Sequence, residues 1–134
     1  MVLLSADRLP LQTDEHMVIV RQAVRNLAVG LGFSLVDQTK LVTAASELAR
    51  NTIKHGGGGS ALLETINDGP RRGVRLTFED QGPGIADIVQ AMKDGFSTGG
   101  GLGLGLSGAK RLTNEFALTS VPGSGTQVVI TKWK

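Results

Sequence analysis

The sequence predicts an α+β fold: a two-layer sandwich in which helices cover one face of a mostly antiparallel sheet. Two observations carry that prediction. The periodic segments run in the order β-α-α-β-β-α-α-β-β, so strands come as adjacent hairpin pairs and helices as pairs between them. Both long helical segments keep an apolar stripe beside a polar one, as helices lying on a sheet must. A chain of 134 residues with 40% apolar and 19% charged side chains suits one hydrophobic core, so residues 1–134 are expected to form a single domain.

Each element has its own local reason. Residues 2–12 read as an apolar strand that Pro10 confines to a sheet edge. Thr13 or Asp14 caps a helix through "TDEHMVIVRQAVRNLAVGLG", with Val18, Val20, Val24, Leu27 and Leu31 as its apolar stripe and Gly30 and Gly32 at its end. A second helix starts after Ser34 and runs to about His55, where the glycine run 56–59 closes it. "ALLETIND" and "GVRLTFED" alternate as strands across the turn "DGPRRG". "GIADIVQAMKDG" reads as a short helix and residues 106–115 as another. "FALTSV" and "GTQVVITKW" then close the sheet as a hairpin around "PGSG".

Composition removes several function classes. Four Phe, one Trp and no Tyr leave the core to aliphatic side chains. The absence of cysteine excludes disulfides and thiolate metal sites and fits a reducing compartment. No apolar run approaches the roughly 20 residues that span a bilayer, and "MVLL" is followed closely by Asp7 and Arg8, unlike a signal peptide. A cytoplasmic protein without a membrane partner is expected. The net charge of +2 is dispersed, and only "GPRRG" is locally basic, so a nucleic-acid partner is not expected either.

The unusual feature is glycine: of 19 residues, seven lie in 95–108 and four in 56–59. "STGGGLGLGL" (97–106) would ruin a helix or a strand. "GLGLSG" at 103–108 fits G-x-G-x-x-G, but it follows a loop rather than a strand, and no acidic residue lies about 20 positions on. A Walker A loop and the V-A-I-K, H-R-D and D-F-G elements of protein kinases are also missing. What remains is a flexible loop leading into the helix "LSGAKRL", whose first N–H groups suit phosphate. Leu102, Leu104 and Leu106 would seat the loop in the core.

Two other segments carry chemistry. In "LVTAASELARNTIKHG", Leu41, Ala44, Ala45 and Leu48 form the buried face with Thr52 between them. Glu47, Arg50, Asn51 and Lys54 fall opposite. A solvated face is the plain reading, but a carboxylate and an amide one turn apart also suit proton transfer and a hard cation such as Mg²⁺. In "FEDQGPGI", Asp80 ends a strand and Gly82 and Gly84 flank Pro83. A simple Pro-Gly turn accounts for this. The second glycine would also let a flat ligand approach, with Asp80 accepting from an amino group such as that of adenine.

In order along the chain, "ELARN" (47–51), "DQGPG" (80–84), "GGGLGLGL" (99–106) and "GSGT" (123–126) resemble the N, G1, G2 and G3 boxes of the Bergerat-fold ATPases, the superfamily of DNA gyrase and histidine kinases. "FSLVDQTKLVTAASELARNTIKHGGGG" and "GLGLGLSGAKRLTNEF" are similar to its small anti-sigma-factor serine/threonine kinases, in particular the switch kinases of bacterial stressosomes. The resemblance implies ATP and Mg²⁺ as ligands. It implies Glu47 as general base, Asn51 as the Mg²⁺ ligand, and Asp80 with Thr126 at the adenine. Gly82 and Gly84 would make room for the base, and Gly101, Leu102, Gly103, Leu104 and Gly105 would wrap the phosphates, with charge from Lys54 or Arg50. The implied partners are STAS-domain substrates, a PP2C-type phosphatase and a sigma factor. An anti-sigma factor that sequesters a sigma factor is the alternative. The catalytic half of a histidine kinase is disfavoured, because His16 and His55 read as structural or surface residues.

Overall fold

The computed structural model describes residues 1–85, 88–92 and 105–134. Its elements are β1 (Val2–Leu11), α1 (Asp14–Gly30), α2 (Leu35–Lys54), β2 (Gly59–Asp68), β3 (Arg71–Asp80), α3 (Ile88–Ala91), α4 (Gly105–Arg111), β4 (Glu115–Val121) and β5 (Gly125–Trp133). Their order is the one expected from the pattern.

Side-chain caps fix where the long helices begin. Thr13, not Asp14, is the N-cap of α1: its hydroxyl accepts from the His16 N–H at 3.2 Å. His16 in turn accepts from the Gln12 N–H through Nδ1, a structural role. Ser34 caps α2 by accepting from the Asp37 N–H at 3.1 Å. At the other end, the N–H groups of His55 and Gly56 both reach the Asn51 carbonyl, which closes α2.

The strands form one sheet in the order β1-β2-β3-β5-β4, and every ladder is antiparallel. Alternate strand residues, among them Leu63, Leu76, Phe78 and Ile130, meet Val20, Val24, Ala28, Leu41, Ala45 and Leu48 of the helices. This is the two-layer sandwich, with an aliphatic core in which Phe33 and Phe78 are the buried aromatic rings among the described residues. The opposite sheet face carries a bidentate ion pair, Arg75 to Glu64 at 2.9 and 3.2 Å. The hydrogen bond to Glu64 raises the Arg75 guanidinium above its usual range.

Four expectations change in detail. Val18 does not belong to the buried stripe of α1: it is 53% exposed, and Ala28 takes its place because it stacks one turn from Val24. The turn after β2 is shorter than "DGPRRG": Asp68 and Arg71 already pair, leaving Gly69 and Pro70. β2 begins at Gly59, so the last glycine of the run 56–59 belongs to the sheet. The helix read as 106–115 ends at Arg111. Thr113 Oγ1 donates to the Ala109 carbonyl at 3.0 Å, and the Asn114 N–H donates to Thr131 of β5, which draws the chain into the sheet. The helix read over 84–95 is described only as α3.

Candidate functional site

An open cleft of about 230 Å³ lies where α2, the end of β3, β5 and the start of α4 meet. Phe78, Ile85 and Val128 supply apolar wall, and Glu47, Arg50, Asn51, Asp80 and Thr126 supply polar groups. This mixture of apolar wall and few convergent polar groups is the usual make-up of a small-molecule site.

Most of the polar stripe of α2 is not a solvated face: Glu47, Arg50 and Asn51 line the cleft. Glu47 is only 5% exposed, and no hydrogen bond or ion pair holds its carboxylate among the described residues. Asn51, one turn on, is half-buried with its side-chain amide equally uncommitted among those residues. Thr52 is satisfied within the helix, its hydroxyl donating to the Leu48 carbonyl at 2.9 Å. Lys54 is exposed in the last turn and does not line the cleft.

The other wall is built on strand register. Asp80 on β3 pairs with Thr126 on β5, which brings two distant boxes together. Asp80 Oδ1 accepts from the Gly82 N–H at 2.9 Å, which fixes the carboxylate, while Oδ2 has no hydrogen bond among the described residues. Thr126 Oγ1 shares a 2.9 Å hydrogen bond with Ser120 Oγ, and Ser120 also accepts from the Ile85 N–H at 2.7 Å. Ser120 sits in no motif and escaped the sequence reading, because only the β4–β5 pairing brings it to Thr126.

The glycines serve close packing. A Cβ at Gly82 would lie 2.6 Å from the Gly56 carbonyl oxygen, and one at Gly56 would collide with the Asp80 carboxylate. Gly84 has φ +76°, and a Cβ there would lie 2.5 Å from the Val121 carbonyl oxygen. Gly82 is therefore needed by its neighbour Gly56 and does not itself line the cleft, whereas Gly84 does. Gly105 and Leu106 line the cleft at the start of α4, with Leu106 buried in the core. Gly101, Leu102, Gly103 and Leu104 lie outside the described residues.

These groups fit a purine nucleotide with a hard cation. Asp80 Oδ2 is a fixed acceptor for an amino group, and the free Asn51 amide offers a hard oxygen. Mg²⁺ commonly takes one or two protein ligands and completes its shell with phosphate and water. Among the described residues no cluster of three His, Cys, Asp or Glu could hold a metal without a ligand's help.

Comparison with known proteins agrees with the geometry. Residues 36–134 match the family of histidine kinase-, DNA gyrase B-, and HSP90-like ATPases, and the chain belongs to that family. Within it, the chain falls in the branch that holds serine/threonine-protein kinases and anti-sigma factors. It is 50% identical to the serine/threonine-protein kinase RsbT of Bacillus subtilis over 123 residues, 92% of each chain. Identity to an anti-sigma F factor of a Thermoanaerobacter species is 30% over 128 residues, 92% of this chain and 89% of that one. The fold also matches a crystal structure of RsbU and RsbW domains from Mycobacterium tuberculosis, with a TM-score of 0.62 at 18% identity. That match covers 97% of this chain and 33% of the other.

Proposed function

We propose that residues 1–134 work as one ATP-dependent protein serine/threonine kinase domain. Its substrates are STAS-domain proteins, and the kinase switches partners: once released, it activates a PP2C-type phosphatase in a bacterial stress or sigma-factor pathway. Family membership and the 50% identity to RsbT support the kinase assignment. The anti-sigma reading ranks second, because identity on that side is 30%. No helix among the described residues is long and apolar enough to cross a membrane, and we assign the activity to the cytoplasm.

The single observation that carries the chemistry is the buried, uncommitted Glu47 one turn before Asn51 in the cleft. Asp80 Oδ2 accepts from the adenine amino group, and Thr126, held by Ser120, supports that end. The Asn51 amide oxygen would hold Mg²⁺, whose charge would offset that of the phosphates. Glu47 takes the proton from a partner's serine or threonine hydroxyl as that oxygen bonds to the γ-phosphorus and the bond to the ADP oxygen breaks. Phosphoryl transfer depends mainly on positioning and charge, so a chain of this size suffices once a partner supplies the hydroxyl.

Incubation with Mg²⁺, ATP labelled at the γ-phosphate and a panel of STAS-domain proteins tests this reading. Label on a serine or threonine of a STAS protein is expected. A chain that binds ATP yet labels none of them, and instead captures a sigma factor, supports the second reading.

A further inference from the structure

The positive charge that meets the nucleotide has two candidates on α2, and their surroundings differ. Lys54 is exposed in the last turn and does not line the cleft. Arg50 lines the cleft, and its Nε is buried with no hydrogen-bond partner among the described residues. Buried donors are almost always paired, so an orphan donor in a cleft wall marks a place for an acceptor.

The acceptor is not Glu47. Spacing of three on a helix would let the two side chains pair, yet no ion pair between them forms. Arg50 thus stands beside the carboxylate without neutralising it, and immediately before Asn51 in the chain. A guanidinium presents a planar fork that matches phosphate oxygens, a geometry an ammonium lacks. The adenine end lies at Asp80, across the cleft on β3, so the anion nearest Glu47 and Asn51 is the phosphate that is transferred.

We propose that Arg50, rather than Lys54, holds the terminal phosphate of ATP and makes the cleft prefer the triphosphate over the diphosphate. This rests on the nucleotide reading above and adds the residue that senses the γ-phosphate. Because no ion pair joins Arg50 to Glu47, the carboxylate is left to serve as the base while Arg50 steadies the group that moves.

Calorimetric titration of ATP and ADP, each with Mg²⁺, into the wild-type chain and three variants tests the assignment. The wild type binds ATP about tenfold more tightly than ADP, the size expected for one charge-assisted hydrogen bond. Arg50→Gln brings that ratio to about one by weakening ATP, and Arg50→Lys restores part of it because charge returns without the fork. Lys54→Gln changes the ratio by less than twofold. The melting temperature of Arg50→Gln does not fall, since the change removes an unpaired buried donor; a fall would mark a structural role and overturn the proposal. Equal weakening of ATP and ADP, or loss of the preference in Lys54→Gln instead, would overturn it too. A wild-type chain that binds neither nucleotide would remove the nucleotide reading itself, whereas binding with the ratio intact in Arg50→Gln removes only this inference.

Discussion

Asp80 and Thr126 are direct partners across the β3–β5 ladder, and both line the cleft. The pairing joins the end of one strand to the start of another 46 positions on in the chain. It sets two separate motifs side by side at one end of the cleft. Asp80→Asn keeps an oxygen for the Gly82 N–H but loses the charge that would meet adenine. ATP affinity should fall about tenfold or more, the worth of a charge-assisted hydrogen bond. Calorimetry checks it, and an unchanged titration removes Asp80 from the adenine site.

Glu47 is buried in the cleft wall with no partner among the described residues, and we propose it as the general base. Glu47→Gln preserves shape and removes basicity. The rate of phosphoryl transfer should drop about 10²–10⁴-fold while ATP affinity stays within about twofold. Equal loss of binding and transfer would mean that Glu47 shapes the pocket instead.

Gly84 combines a left-handed backbone, φ +76°, with a carbonyl oxygen that a Cβ would approach to 2.5 Å. Gly84→Val therefore strains the backbone and forces the Val121 segment away. A loss of about 2–3 kcal/mol in unfolding free energy, with weaker ATP binding, is expected. Urea denaturation measures the first quantity and titration the second.

The Arg75–Glu64 pair lies on the sheet face away from the helices, with side chains 29% and 9% exposed. Arg75→Ala leaves Glu64 without its bidentate partner. Stability should fall by about 2 kcal/mol, less than for a fully buried pair because water reaches the site. ATP affinity should not change, which separates this effect from damage to the cleft.

Much of this architecture is legible in residue order alone. Hairpin spacing gives the β2–β3 and β4–β5 pairs, the cap residues give the starts of α1 and α2, and four boxes, three of them glycine-bearing, mark the candidate site. What escapes is tertiary. Helical periodicity puts Glu47, Arg50, Asn51 and Lys54 on one stripe, but it does not show that the cleft takes the first three and solvent the last. Ser120 has a strand residue's pattern and gains its role only through the register that sets it beside Thr126. Gly82 looks like ligand clearance, whereas the backbone of Gly56 demands it, a contact between loops 26 positions apart. Val18 misleads because its valine character outweighs its place off the 3–4 spacing of Val20, Val24 and Ala28.

The polar row of α2 is proposed to carry Mg²⁺-dependent phosphoryl transfer to a protein hydroxyl. Single-turnover transfer from γ-labelled ATP to a STAS-domain protein, compared between the wild type and Asn51→Ala across a Mg²⁺ series, measures it most directly. Label on a serine or threonine is expected with the wild type, and its abolition in Asn51→Ala. Transfer by Asn51→Ala at the wild-type rate, with unchanged dependence on Mg²⁺, would contradict it.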